Sequence, residues 1–378
     1  MTESDSPADS SASSLEVSDV VVNNLNITHV TNVPRPHDLK ERFPLTADLT
    51  AQVSSQRLTI ENILDGKDRR LLVVVGPCSL HHKGGALDYG QRLAKLAQTL
   101  PNLFLVMRAY GAKPRTTTGW KGLIYDPSMD GSNDLNGGIT LMREIAHGLA
   151  MLGLPLATEV LDPFTIEFFA DLISWASIGA RTVESQTHRE LASGLSMPVG
   201  FKNATEGGRN GTRKAVDAVQ AAKSPHTFWG ISDEANLAFI ETRGNPYGHV
   251  VLRGGDLGPN YQAGWVQEAC DLLNTRMLHP QLVIDCSHDN TKPLTGGLKD
   301  FRLQAHVLEN VVRQRKAGNR NIVGVMLESN VVEGNVKIPD SLHPSDIGML
   351  MPGRSVTDAC LSWQDTERLL MDMDHLLQ

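Results

Sequence analysis

Cysteine is scarce in this chain. Cys78, Cys270, Cys286 and Cys360 are the four in 378 residues, with no CxxC spacing among them, which excludes a disulfide framework and a zinc ribbon. No apolar run approaches the roughly 20 residues that cross a bilayer. The N-terminus also lacks the basic start and apolar core of a secretory signal. Excess positive charge is missing too: 35 Lys and Arg against 43 Asp and Glu leave a net charge of -8, so a nucleic-acid role has no electrostatic footing. Residues 1–19 contain no Lys or Arg and are rich in Ser, Asp and Glu. They read as a disordered acidic tail. The expectation is a reduced, cytoplasmic protein with no membrane and no nucleic-acid partner.

What is present is a soluble globular composition, 40% hydrophobic and 21% charged. Residues 20–70 read as an N-terminal arm that bears a strand and docks on another subunit, with a short helix over Thr59–Leu64 closed by Gly66. Thereafter strand and amphipathic helix alternate. The strands are expected at Leu71–Gly76, Leu103–Met107, Pro155–Glu159, Ser177–Ala180, Pro198–Phe201, His249–Leu252, Gln281–Asp285 and Ile322–Leu327. A helix is expected between most of them, including one over Phe164–Ile173. Near-continuous apolar strands separated by helices imply a parallel sheet covered on its outer face. Eight such units over residues 71–378 favour a (β/α)8 TIM barrel over a doubly wound sheet. Two β-like runs, Thr227–Ile231 and Leu237–Thr242, read as a β-hairpin inserted at about 226–243.

A polar residue stands at or just past the end of every barrel strand: Cys78, Arg108, Glu159, Arg181, Lys202, Arg253, His288 and Glu328. In a barrel these converge on one mouth, where such folds place their chemistry. Cys78, His288 and Glu328, together with Asp358, offer a thiolate, an imidazole and two carboxylates. That mixed set suits a borderline divalent ion: Mn, Fe, Co or Zn. Singly, each has an ordinary use as a buried small residue, a core histidine or the partner of a cation. Arg108, Arg181, Lys202 and Arg253 form an anion-binding set, with structural salt bridges to Glu159, Glu184 and Glu206 as the alternative. Between Arg108 and Lys121 lies a basic run holding Lys113-Pro114-Arg115 and Thr116-Thr117. Pro114 fixes its own φ and biases Lys113 to extended geometry, so Lys113 and Arg115 point to different ligands. The guanidinium and hydroxyl donors of Arg115 and Thr116 suit a phosphate. The glycine run 207–211 lacks the Lys-Ser/Thr ending of a P-loop, and His81-His82 reads as a surface pair. Lys202 is alternatively a Schiff-base lysine, as in aldolases on this fold.

At these residues the chain resembles the type I 3-deoxy-D-arabino-heptulosonate 7-phosphate (DAHP) synthases. The matching blocks include Gly76-Pro77-Cys78-Ser79, Lys113 to Thr117, Trp120 to Leu123, Gly179 to Gln186, His188 to Ser196, Pro198 to Asn203, Leu252 to Gly255, Cys286-Ser287-His288, Glu328-Ser329-Asn330 and Val356 to Cys360. They cover the chain from about Asn23 onward, and Leu156 to Pro163 is most similar to the tyrosine-sensitive branch. The resemblance implies condensation of phosphoenolpyruvate with erythrose 4-phosphate, the first step of the shikimate pathway of aromatic amino acid biosynthesis. It implies a divalent metal, Mn first, on Cys78, His288, Glu328 and Asp358. It places phosphoenolpyruvate on Arg108, Lys113, Arg181, Lys202 and Arg253, and the aldose phosphate on Arg115 and Thr116, with Lys113 assisting the aldehyde. No Schiff base is needed on that reading. It further implies feedback by an aromatic amino acid, with Tyr preferred and Asn24, Asp162 and Ser196 the candidate residues, and a homodimer or homotetramer.

The chain also departs from the family pattern. Ala112 replaces the usual Glu before Lys113, Leu80-His81-His82 replaces Ile-His-Asp, and Tyr125 replaces Asn. Pro352 and Arg354 replace Tyr and Gln, and about three extra residues fall within Glu206–Gly211. None removes a proposed ligand. The alternatives they raise are a paralogue acting on another aldose phosphate or serving a secondary-metabolite pathway, or a poorly active regulatory paralogue that binds aromatic amino acids.

Overall fold

The computed structural model describes residues 24–294, 297–338, 350 and 352–378. The expected acidic tail and the apolar run Val20–Val22 lie outside them. In chain order the strands are β1 (Leu71–Gly76), β2 (Leu103–Arg108), β3 (Leu156–Glu159), β4 (Trp175–Ile178), β5 (Val199–Lys202), β6 (Thr227–Ile231), β7 (Leu237–Glu241), β8 (Gly248–Leu252), β9 (Leu282–Asp285), β10 (Ile322–Glu328), β11 (Val332–Asn335) and β12 (Arg354–Ser355). Eight of them close into a parallel barrel in the order β1-β10-β9-β8-β5-β4-β3-β2. The fold is therefore the expected (β/α)8 barrel. β6 and β7 form the inserted antiparallel hairpin, and β11 with β12 makes a small parallel pair.

The helices are α1 (Pro36–Arg42), α2 (Ala47–Leu64), α3 (Lys83–Ala97), α4 (Leu135–Met151), α5 (Gln186–Gly194), α6 (Gly208–Lys223), α7 (Ala263–Thr275), α8 (Gln304–Lys316) and α9 (Trp363–Leu376). Their starts follow from the sequence: Thr46, Asp134, Ser185 and Ser362 each accept a bond from an otherwise unpaired first-turn amide. No helix among the described residues is long and apolar enough to cross a membrane.

Strand alternation separates two cores. Leu71, Val73, Val75, Leu103, Leu105 and Met107 pack outward against the helices, whereas Leu72, Val74, Val106, Ala157, Trp175, Val251 and Val283 fill the barrel interior. Gly200 has a specific duty here, because a Cβ on it would lie 2.5 Å from the Trp175 ring. Ile60, Ile63 and Leu64 of α2 join the interior cluster and plug the end of the barrel where the strands begin. The last inward positions at the other end are left for polar side chains: Arg108, Glu159, Lys202, Asp285 and Glu328.

Three expectations need correction. The helix expected over Phe164–Ile173 is two 3-10 turns, Thr165–Phe168 and Ala170–Leu172. Arginines take carbonyls along it: Arg143 binds Phe168 O at 2.7 Å, which an α-helix here would pair with Leu172 N, and Arg57 binds Ala170 O at 2.8 Å and Ile173 O at 2.9 Å, which such a helix would leave unpaired at its end. The fourth strand begins at Trp175 rather than Ser177 because Trp175 is itself an interior residue. The short helix near Thr59 is the end of the 18-residue α2, whose buried Leu49, Val53, Gln56, Ile60 and Ile63 recur at helical spacing. The run Val20–Val22, on which a strand of the arm was expected, lies outside the described residues; among those described the arm holds a single bridge residue, Val30. Its α1 contacts the hairpin turn through Arg35–Glu234 and Lys40–Asp233 ion pairs, each 2.5 Å.

Candidate active site

The strand ends open into a cavity of about 330 Å³. Cys78, Arg108, Lys113, Arg115, Thr116, Arg181, Arg253, His288, Glu328 and Asp358 all line it. Of the metal and substrate candidates only Lys202 does not. It lies beneath the cavity, 3% exposed, with its ammonium 3.3 Å from Asp285 Oδ2. Burial works against the Lys202 charge, but Asp285, Tyr110 and Glu159 outweigh it and raise the pKa. A Schiff-base lysine needs the opposite shift.

Three candidate ligands meet directly: one donor atom from each of Cys78, Glu328 and Asp358 lies within 4.8 Å of the others. His288 Nε2 stands 3.9 Å from Glu328 Oε1. Its Nδ1 lies 2.8 Å from Asp285 Oδ2 as an ion-pair contact, which sets the carboxylate against the far side of the ring. The Lys113 ammonium is 2.9 Å from Cys78 Sγ and 2.8 Å from Asp358 Oδ2. A positive charge thus already sits where the thiol and carboxylate converge, and a divalent ion fits this donor set. Burial and then Glu328 push the Cys78 thiol up to about 11, with Lys113 pulling the other way. Burial opposes the Lys113 charge, yet Cys78, Asp358 and Glu328 hold it protonated.

Arg108 is fixed from several sides. It donates to Pro77 O at 3.1 Å, Cys78 O at 3.3 Å and Glu328 Oε1 at 3.2 Å, and lies 4.0 Å above the Tyr110 ring. Its Nη1 is buried with no acceptor among the described residues. Arg253 pairs with Asp289, which also meets Lys292 and Lys299 at 3.1 Å each. Nearer solvent, Arg115 Nε donates to Trp120 O at 2.7 Å while Lys113 N bonds Lys121 O at 2.8 Å, so the basic run is closed as a loop. Arg115 and Arg181 make no ion pair among the described residues. The site therefore gathers more guanidinium and ammonium donors than it satisfies, which suits ligands carrying several negative charges.

The alternative salt bridges fall elsewhere: Glu184 and Glu206 both bind Lys214, at 2.8 and 2.6 Å. His81 is 7% exposed, so it is no surface residue, and burial lowers its pKa to about 4; His82 instead accepts from Gly85 N at 3.1 Å to start α3. Ala112 is buried in the same cluster as Leu123 and Ile124. Tyr125 donates to Asp162 Oδ2 at 3.3 Å. Of the three effector candidates, Asp162 Oδ1 accepts from Phe164 N at 2.8 Å and Thr165 N at 3.1 Å, Ser196 lines a separate cavity beside the hairpin, and Asn24 is the first described residue. Sequence reasoning passed over Asp285, Tyr110 and Asp289. Strand period would have found Asp285, two residues beyond inward Val283.

The DAHP synthetase I family model matches residues 46–371. The Tyr-sensitive phospho-2-dehydro-3-deoxyheptonate aldolase of Escherichia coli is 47% identical over 353 residues, covering 93% of this chain and 95% of that protein. The Trp-sensitive one of the same organism is 45% identical over 347 residues, covering 92% and 95%. A solved phospho-2-dehydro-3-deoxyheptonate aldolase structure from Francisella tularensis superposes with a TM-score of 0.85 at 41% identity, covering 92% of this chain and 97% of that one.

Proposed function

The chain belongs to the DAHP synthetase I family, and on that premise we propose how its mouth performs the condensation. The reaction joins phosphoenolpyruvate, erythrose 4-phosphate and water to give 3-deoxy-D-arabino-heptulosonate 7-phosphate and inorganic phosphate, and it opens the shikimate pathway. The observation that carries the residue assignment is the convergence of Cys78, His288, Glu328 and Asp358 beside Arg115 and Arg181, which make no ion pair among the described residues.

Arg108 Nη1, Arg181, Lys202 and Arg253 hold the carboxylate and phosphate of phosphoenolpyruvate at the floor. Arg115 and Thr116 hold the phosphate of the aldose at the rim. The two reactants then lie with the enol carbon facing the aldehyde, which replaces a bimolecular encounter with a positioned one. A divalent ion on the four ligands, Mn first and Fe, Co or Zn otherwise, would supply Lewis-acid polarisation of the aldehyde. Lys113, held protonated, donates to the aldehyde oxygen as C3 of phosphoenolpyruvate forms the new carbon–carbon bond. Water adds at C2 and gives up one proton, which restores Lys113; the C2–O bond to phosphate then breaks with its electron pair leaving on phosphate, which takes the C2 hydroxyl proton, and C2 ends as the ketone. The surrounding guanidiniums stabilise that charge as it moves.

Regulation by an aromatic amino acid is carried by the relatives' Tyr-sensitive and Trp-sensitive names, with Tyr preferred and Asn24, Asp162 and Ser196 the candidate contacts. The arm over 20–70, beyond the barrel of 71–378, would serve that regulation and a homodimeric or homotetrameric assembly in the cytoplasm. The test is phosphate release from the two substrates by chelator-treated protein. Turnover restored by Mn is expected; turnover that survives chelation would overturn the metal assignment.

A further inference from the structure

At the other end of the barrel, the turn before β1 and the connection from α8 to β10 enclose a cavity of about 280 Å³. Four arginines line it, Arg69, Arg70, Arg315 and Arg320, against one carboxylate, Asp68. That carboxylate is already engaged: Arg70 grips it with Nη2 at 2.5 Å and Nε at 3.0 Å. The other three guanidiniums make no ion pair among the described residues.

Arg315 is 6% exposed, and its two Nη groups are held by the carbonyls of Ile322 and Arg69. Its Nε is buried with no acceptor among the described residues. Burial, and then the neighbouring Arg320, push its pKa down to about 10, the direction expected of a cation without a counter-charge. The C-terminus of α8 supplies some negative potential here. A helix end amounts to only about half a charge, however, and three guanidiniums exceed it.

We propose that this cavity is a second anion site that binds a phosphate group, free or as a monoester. Guanidinium forks match phosphate oxygens, and an anion carrying two charges neutralises a cluster that the fold leaves unpaired. The site is separate from the catalytic mouth. It adjoins Leu71 at the start of β1, whereas the mouth adjoins Gly76 at its end, about 17 Å away along the strand. Its occupant therefore does not enter the reaction.

Equilibrium dialysis with labelled inorganic phosphate tests this on three full-length proteins. These are the wild type, Arg69→Gln/Arg320→Gln at the cavity, and Arg115→Gln/Arg181→Gln at the mouth. The cavity variant changes exposed side chains and leaves Arg315 in place, so it should fold and keep its turnover at saturating substrates. The wild type should show two classes of phosphate site, and each variant should lose a different one, with affinity at the altered site falling about tenfold or more. Glycerol 3-phosphate then separates the sources: displacement from the cavity marks recognition of the ester, and its failure marks free phosphate. A cavity variant that binds phosphate as the wild type does would overturn the proposal.

Discussion

Asp285 carries two duties on one buried carboxyl. It faces His288 Nδ1 at 2.8 Å and the Lys202 ammonium at 3.3 Å, and burial, which would raise its pKa, is outweighed by His288 and Lys202 so that the group stays ionised. On the proposed assignment it would position both His288, as a metal ligand, and Lys202, as a phosphoenolpyruvate contact. Asp285→Asn keeps the volume and removes the charge. Metal affinity, read by titration of apo-protein, should fall about 10- to 100-fold, with a smaller rise in the KM for phosphoenolpyruvate. Unchanged metal affinity in a folded variant would restrict Asp285 to Lys202 alone.

Among the elements, β4 and β8 meet inside the lower barrel, where Trp175 Nε1 donates to His249 Nε2 at 3.1 Å and His249 Nδ1 faces Tyr247 O at 3.1 Å. Burial lowers the His249 pKa from 6.5 to about 4, so the folded state holds it neutral. The unfolded chain binds a proton there that the folded one refuses. The resulting stability is complete above pH 6.5 and is lost as the pH falls toward 4, by up to about 3 kcal/mol. His249→Gln should flatten that part of the stability-against-pH curve by about one proton. An unaltered slope, measured by denaturant titration at several pH values, would place the acid sensitivity elsewhere, with His81 next in line.

Elements of this kind explain what was legible. Barrel strands are apolar on both faces, so their existence and order stand out in the linear pattern, and the polar residue at or just past the end of each one marks the mouth. The 3-10 segment was illegible because Arg57 and Arg143, distant in sequence, decide which carbonyls it keeps. α2 was truncated because its buried face is interrupted by Gln56, a core position filled by a polar residue that binds Gly153 O and Ser174 Oγ. Asp285 was obscured by His288, three residues on and already assigned as the strand-end ligand.

On the scale of the whole molecule, Arg143 ties the barrel to α1 of the N-terminal arm. Fully buried on α4, it donates to Leu39 O at 2.9 Å, Phe43 O and Asp171 Oδ1 at 2.8 Å, and Phe168 O at 2.7 Å. One side chain thereby fixes α1, α4 and the 3-10 segment together. Arg143→Met should cost about 3–5 kcal/mol, since Asp171 and three carbonyls lose their donor. Limited proteolysis should then cut between α1 and α2 before the barrel unfolds; cleavage at the wild-type rate would show that the Arg35–Glu234 and Lys40–Asp233 contacts hold the arm unaided.

The plug formed by α2 also sets an order in time. Ile60, Ile63 and Leu64 leave the ribosome ahead of every strand they will touch, and the partner that closes the barrel, β10 against β1, is made some 250 residues later. Until then a growing chain presents an open sheet edge and an uncovered apolar helix face. Any nascent or truncated product ending before Ile322 is consequently a substrate for chaperones or for aggregation rather than a smaller working barrel.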